Sequence, residues 1–379
     1  MTSEERKAAR YQRRVAKRKS HKEALYGQCD NFDQVFSYGN LYKAYKNCRK
    51  NVSWKASVQK YVTQAPLNVA RTYKQLQEGR FRSPGFFEFD LYERGKHRHI
   101  RSTVIGERVV QRCLCDNALV PVLGRSFIYD NGASMKNKGY HFSRRRLVTH
   151  LHQHFRAHGA EGYVLLFDFT RFFDNVSHEV IKKQLHREFT DERILKLTEH
   201  FIDSFGDVGM GLGSQISQVL ALSSANRLDH FVKEVLRIKH YGRYMDDGYL
   251  IHESKEYLQQ CLEAIKVVCD ELGIVLNLKK TQIVKLTHGF TYLKARMYLL
   301  PTGKVVQKIY KRSVTRMRIK LKKLKKMLDA KKITNADVYI TWRSWKSYAE
   351  QFNAWHAIQN MAALYDRLFI NWEDFYAIL

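Results

Sequence analysis

Apolar positions along the 379-residue chain alternate between helical and strand spacing. Residues 31–82 are helical in pattern. Phe32, Val35 and Phe36 open one amphipathic stretch, and Trp54, Val58 and Tyr61 mark another. Residues 85–104 change character. Phe86, Phe87, Phe89, Leu91 and Tyr92 form an aromatic strand-like run, the turn Arg94-Gly95-Lys96 follows, and His97-Arg98-His99-Ile100-Arg101 complete a β-hairpin. Helical spacing returns over 105–125 through Val109, Val110, Leu114 and Leu119. Residues 163–168, Tyr-Val-Leu-Leu-Phe-Asp, are a short apolar run ending in a carboxylate, as expected of a buried strand whose tip carries function. Helices are predicted over 177–202 and 214–239, around a glycine-rich stretch at 206–213, and a second aromatic hairpin spans 241–252. A helix over 254–273 ends at Gly273. Strand-like pieces follow at 274–277, 281–286 and 289–299, and the chain is helical from 311 onwards.

The ends of the chain are basic. Residues 1–23 hold nine basic residues and three acids with little apolar periodicity. This arm is either a helix that orders on nucleic acid or a solvated tail. Residues 311–332 hold eleven basic residues and one acid, with Val314, Met317, Leu321, Leu324 and Leu328 on an apolar seam. Such a helix packs by its seam and offers phosphates its positive face, where Lys311, Arg312, Arg316, Lys320 and Lys323 are candidate contacts. Over 339–376, Tyr339, Trp342, Trp345, Tyr348, Phe352, Trp355 and Tyr365 read as packing of a helical bundle.

Composition sharpens this picture. Lysine and arginine total 66 against 37 acids, a net charge of +29, and the natural counterpart is a phosphate backbone. No run of roughly eighteen apolar residues and no secretion signal is evident, so no membrane partner is expected. None of the six cysteines forms a C-x-x-C pair, which removes a zinc ribbon and suits reduced thiols.

The chemistry gathers on carboxylates. Tyr244-Met245-Asp246-Asp247 lies between Tyr241-Gly242-Arg243 and Gly248-Tyr249-Leu250-Ile251. Successive strand side chains point to opposite faces, so both aspartates serve one site only if the backbone turns sharply there. Adjacent carboxylates repel, and a bound dication is a natural reason to keep them together. Asp168 ends a separate apolar strand. Three carboxylates from two strands suit two Mg2+ ions roughly 4 Å apart, with Mn2+ as the substitute ion, clamping an in-line phosphoryl displacement. An isolated Asp-Asp pair would read as a surface turn, but the apolar strand residues around this one argue against that.

These residues resemble a bacterial, group II intron-like reverse transcriptase. The Tyr-x-Asp-Asp box is joined by residues 167–178, and the resemblance continues through 98–111, 211–226, 276–280 and Gly289-Phe290-Thr291-Tyr292-Leu293, in the family's order. The resemblance implies metal ligation at Asp168, Phe169, Asp246 and Asp247. It implies nucleotide contacts at Lys96, Arg98, Arg101, Phe173 and Gln218. Phe173, five residues after Asp168, would be the gate that excludes a ribose 2′-hydroxyl. One departure is informative: Leu212-Gly213-Ser214-Gln215-Ile216-Ser217-Gln218 resembles the variant found in diversity-generating retroelements, which copy template adenines with errors.

The expected architecture is α+β, a right-hand polymerase fold. It has a basic N-terminal arm (1–30), fingers with the start of the palm (31–160), a palm with an antiparallel sheet (161–300) and a helical thumb (301–379). The resemblance implies an RNA-directed DNA polymerase, cytoplasmic and bacterial or phage-encoded, with template RNA, a cDNA primer, dNTPs and a small basic helical accessory protein as partners. Two other functions compete: a phage-defence or retron-type reverse transcriptase, and a non-catalytic RNA-binding protein. The intact Asp168, Asp246 and Asp247 argue against the last. No endonuclease signature is evident, so a small stand-alone polymerase is expected.

Overall fold

The computed structural model describes residues 2–93 and 96–370; the side chains of Glu93, Lys96 and Arg98 are also outside the described set. The expected turn at Arg94-Gly95 therefore lies outside the described residues. The chain opens with α1 (Ser3–Cys29), α2 (Phe32–Val35), α3 (Tyr38–Cys48), α4 (Ala56–Val62) and α5 (Ala65–Gln77). A two-stranded hairpin follows, β1 (Phe86–Glu93) and β2 (Lys96–Thr103), then α6 (Ile105–Leu114), α7 (Val120–Leu123) and α8 (Tyr140–His158). Strand β3 (Tyr163–Asp168) leads into α9 (His178–Glu188), α10 (Glu192–Asp203), α11 (Gln215–Ser224) and α12 (Asn226–His230). Next come β4 (His240–Tyr244), β5 (Asp247–His252), α13 (Lys255–Glu271) and β6 (Gln282–Lys285). The chain continues through β7 (Phe290–Tyr292), β8 (Ala295–Leu299), β9 (Val305–Ile309), α14 (Lys311–Asp329), α15 (Asn335–Ala349) and α16 (Trp355–Phe369).

The central sheet has the order β4-β5-β3-β6, antiparallel throughout. Its inner strand β3 is apolar on both sides because both faces are covered. Leu165 and Phe167 join a core with Leu250, Tyr241 and the α13 residues Leu258, Cys261 and Ile265. Val164 and Leu166 join another with Tyr249, Ile251 and the α8 residues Leu147 and Leu151. Each such side chain contributes roughly 1.5–3 kcal/mol on burial. The strand is thus held by its two faces, and its polar end at Asp168 is left to chemistry.

At the C-terminal end, Met317, Leu321 and Leu324 of α14 pack with Val338, Trp342, Trp345, Met361 and Leu364 of α15 and α16. This is the seam read from the sequence, and Trp342, Trp345 and Tyr365 pack in it as expected; Tyr348 and Phe352 pack with the core of Val164 and Leu166 instead, and Tyr339 and Trp355 are exposed. The basic arm is the helix α1, not a tail.

Other elements depart from expectation. Residues 274–277 form only a single antiparallel bridge, Leu276 with Phe169, and not a full strand; Thr170 donates to the Val275 carbonyl at 2.7 Å and Asn277 to the Asp168 carbonyl at 2.8 Å. The 289–299 stretch is two strands, divided where Leu293 and Lys294 take left-handed φ of 45° and 65°. Helix α8 was not legible because it buries Arg144, His150 and His154 where apolar residues mark other helices.

Gly248 lies opposite Phe167 in the β3–β5 register, and a Cβ there would fall 2.1 Å from the ring. Gly248→Ala is expected to cost about 1–3 kcal/mol through overpacking, seen as a lower midpoint in urea denaturation. A wild-type midpoint would contradict this packing.

Candidate active site

Asp168 is the last residue of β3, and it pairs directly with Asp247, the first residue of β5. Tyr244 pairs with the same Asp247, so only Met245 and Asp246 remain in the turn. Met245 carries φ of 55°, a left-handed conformation that costs an L residue about 1–2 kcal/mol. The Phe169 N–H donates to the Asp246 carbonyl at 3.2 Å and folds the turn against the end of β3. The three expected aspartates therefore meet at one end of the sheet.

Their electrostatics follow from that placement. Asp168 is 8 % exposed. Burial, then the charges of Asp246 and Asp168, push the Asp247 carboxyl up to about 7. Lys280 answers part of this repulsion. Its Nζ lies 2.8 Å from both Asp168 oxygens, and the Asn277 amide donates to Asp168 Oδ1 at 3.2 Å. The bond to Asp168 also raises the Lys280 ammonium above its ordinary range. Sequence reasoning assigned Lys280 and Asn277 no role, although both lie in the 276–280 stretch that carried part of the resemblance.

Among the described residues, no group of three His, Cys, Asp or Glu side chains closes into a ready-made ion cage. Mg2+ asks for less than that: one or two carboxylates with water and substrate phosphates completing the shell. Converging hard oxygens in excess of positive charge fit such an ion. The Phe169 side chain is buried in the core, so only its backbone is placed to serve the site.

The turn is held from beneath. Arg243 is 0 % exposed and grips Asp229 of α12 with Nε–Oδ1 at 2.8 Å and Nη2–Oδ2 at 2.6 Å. Tyr241 donates to the same carboxylate at 2.5 Å. The remaining Arg243 Nη1 donates to the Met245 carbonyl at 2.7 Å, inside the strained turn. Burial works against the charge on this guanidinium, and Asp229 more than offsets that cost, so the group sits above its ordinary range. Neither Arg243 nor Asp229 stood out in the sequence, because a buried ion pair carries no periodic signal.

The other expected residues divide. Phe172 is buried, whereas Phe173 is half-buried, with its carbonyl accepting from Met210 N–H at 2.7 Å. Arg101 pairs with Glu88 at 3.1 Å and donates to the Phe205 carbonyl at 3.0 Å, beside the glycine-rich stretch. Gln218 is exposed and accepts from Ser134 Oγ at 2.9 Å. Lys96 and Arg98 have side chains outside the described set. Lys311, Arg312, Arg316, Lys320 and Lys323 are exposed on α14, away from its buried seam.

Removing one partner of a buried ion pair strands the other. Arg243→Met is expected to destabilise the fold by about 3–5 kcal/mol, and Arg243→Met with Asp229→Leu to recover much of that loss. Urea denaturation of the two variants checks this; equal loss in both would mean the pair is not what holds the turn.

Comparison with family models matches residues 93–297, more than half of the chain, to Reverse transcriptase (RNA-dependent DNA polymerase). Comparison with curated proteins finds no match. Among solved structures, the chain resembles telomerase from Candida albicans in complex with a TWJ fragment of telomeric RNA, at 12 % identity and TM-score 0.47, covering 65 % of this chain and 51 % of that one. It also resembles apo telomerase from Candida tropicalis, at 14 % identity and TM-score 0.44, covering 65 % and 53 %. The chain thus spans about half the length of these telomerase chains. No helix among the described residues is long and apolar enough to cross a membrane. By the match over residues 93–297, which contains all three converging aspartates, the chain belongs to the reverse transcriptase family.

Proposed function

We propose that this chain is an RNA-directed DNA polymerase that works by two-metal nucleotidyl transfer. The observation that carries the reading is the direct pairing of Asp168 with Asp247 beside the Asp246 turn, in a chain of the reverse transcriptase family. Asp168, Asp246 and Asp247, with the Phe169 backbone, would hold two Mg2+ ions. Bound there, the ions supply the positive charge that activates a primer 3′-hydroxyl and steadies the departing pyrophosphate.

The chain's own groups set the conditions for that chemistry. Lys280 holds both Asp168 oxygens in place at the site until substrate arrives. Arg243 fixes the turn from the core side. Phe173, half-exposed beside the catalytic strand end, is the proposed gate against a ribose 2′-hydroxyl. Arg101 with Lys96 and Arg98 would take the incoming triphosphate, for which Arg101 must exchange Glu88 for phosphate oxygens. Gln218 would lie near the nascent pair. The exposed Lys311, Arg312, Arg316, Lys320 and Lys323 of α14 would follow the template–primer duplex by its phosphates.

The setting we infer is a diversity-generating retroelement, with template RNA, a cDNA primer, dNTPs and a small basic helical accessory protein as partners. The support is the form of residues 212–218, Leu-Gly-Ser-Gln-Ile-Ser-Gln. Sequencing of cDNA made in cells tests the setting. Substitutions concentrated at template adenines support it, and a uniformly faithful or fixed short product overturns it.

Asp246→Ala is expected to abolish Mg2+-dependent primer extension on RNA while leaving the fold and RNA binding nearly intact. Extension by that variant at the wild-type rate would sink the proposal. A pH dependence follows from Asp247. Its carboxyl is held up to about 7, so below that pH a proton occupies a group the metal requires. The Mg2+ concentration for half-maximal extension is expected to rise about tenfold per pH unit below 7 and to level off above it. Titration of Mg2+ between pH 5.5 and 8.5, about the Asp247 midpoint, measures this. A flat requirement would contradict it.

A further inference from the structure

Helix α1 is a 27-residue element with seven of its nine positive charges on one side. Ser3–Cys29 hold nine lysines and arginines and three acids. At 3.6 residues per turn, Arg6, Lys7, Arg10, Arg13, Arg14, Lys17 and Arg18 fall within an arc of about 140°. Among the described residues, none of these seven forms an ion pair. Like charges at Arg6 and Arg10, Arg10 and Arg14, Arg13 and Lys17, and Arg14 and Arg18 stand one turn apart, and each such pair costs a few tenths of a kcal/mol. The helix therefore carries a repulsion that no ion pair to these seven relieves among the described residues.

Its anchorage is confined to one end. Cys29 is buried, Leu25 and Tyr26 pack against the core, and the Tyr26 hydroxyl donates to Glu188 at 2.5 Å, at the far end of α9 from Ser177. Residues 3–24 are exposed apart from the half-buried Ala9. The side opposite the stripe offers Ala8, Tyr11, Val15 and Ala16 among Lys19, Lys22, Gln12, Glu5 and Glu23. Tyr11 at 65 % and Val15 at 39 % exposure are the large apolar groups there, too few for a helix partner or for seating in a bilayer.

We infer that this stripe binds the phosphate backbone of a base-paired segment of RNA, outside the polymerase cleft. The choice of RNA rests on the polymerase reading; the need for a polyanion does not. The seven cations recognise duplex by charge and shape, without reading bases. The helix, about 40 Å long, holds the template molecule while α14 engages the part being copied.

The full-length protein carrying Arg10→Gln, Arg13→Gln, Arg14→Gln and Lys17→Gln tests this. The probe is a blunt RNA hairpin with no single-stranded end. Affinity is expected to fall about tenfold or more at physiological salt, and the slope of log affinity against log salt to flatten by roughly one unit per lost contact. Extension of a short pre-annealed primer is expected to keep its kcat. The charge-retaining variant Arg10→Lys, Arg13→Lys, Arg14→Lys should bind like the wild type, which separates lost charge from a lost helix. Unchanged affinity and slope in the glutamine variant would overturn the proposal and point to an acidic protein or an anionic surface as the occupant. Hairpin binding is read without polymerisation, so a chain that fails to extend primers would still answer this question.

Discussion

Carboxylates that face each other across an antiparallel ladder repel, and the site depends on keeping Asp168 and Asp247 in that position. The sheet accomplishes this by brute packing. Strand β3 is buried on both faces, so its register cannot slip by one residue without turning two cores inside out. What remains is a local excess of negative charge, and the fold answers it twice. Asp247 is held up to about 7, and Lys280 lays its ammonium against both Asp168 oxygens. Both answers are replaceable. A proton leaves and a lysine swings away when a stronger counter-charge arrives, which is the behaviour the proposed loading of metal with substrate would require.

The same constraint accounts for the buried ion pair beneath the turn. A two-residue turn with Met245 in a left-handed conformation would relax if its carbonyl were free. Arg243 ties that carbonyl to α12 through Asp229, and Tyr241 completes the carboxylate's bonds. The flanking glycines serve differently from what their position suggests. Gly242 and Gly248 sit within the strands, where a Cβ would fall 2.7 Å from Tyr249 Oη and 2.1 Å from the Phe167 ring. They make room for aromatic rings, while the bend itself is carried by Met245 and held by Arg243.

Legibility followed the physics of each feature. Apolar alternation reports burial, so β3, the hairpins at 86–103 and 240–252, and the α14 seam were readable. The aspartates were readable because carboxylates at the tips of apolar strands need a reason. Helix α8 was not, since its buried face carries Arg144, His150 and His154, which look like solvent-facing groups until their partners are known. Strand β9 was missed for its position on a small edge sheet, with Lys308 exposed and the rest half-buried. Lys280 and Arg243 act through contacts 112 and 14 residues away along the chain, and no local pattern encodes such a partner.

The distribution of positive charge adds a last step. Two of the chain's helices carry dense basic faces, but they are built differently. Helix α14 has a buried seam with α15 and α16, so its position is set by packing and its charges are presented at a fixed place. Helix α1 has no such seam beyond its last turn, so its direction is set by little more than Leu25, Tyr26 and Cys29. A rigidly mounted basic face suits a duplex whose position must be fixed relative to Asp168, Asp246 and Asp247. A basic face mounted at one end tolerates an RNA of variable shape. Neutralising phosphates carries no sequence information in either case. Discrimination among nucleotides would then fall to groups that touch the incoming one; those proposed for it are the half-exposed Phe173, whose carbonyl bonds Met210 of the glycine-rich stretch, and the exposed Gln218 of α11.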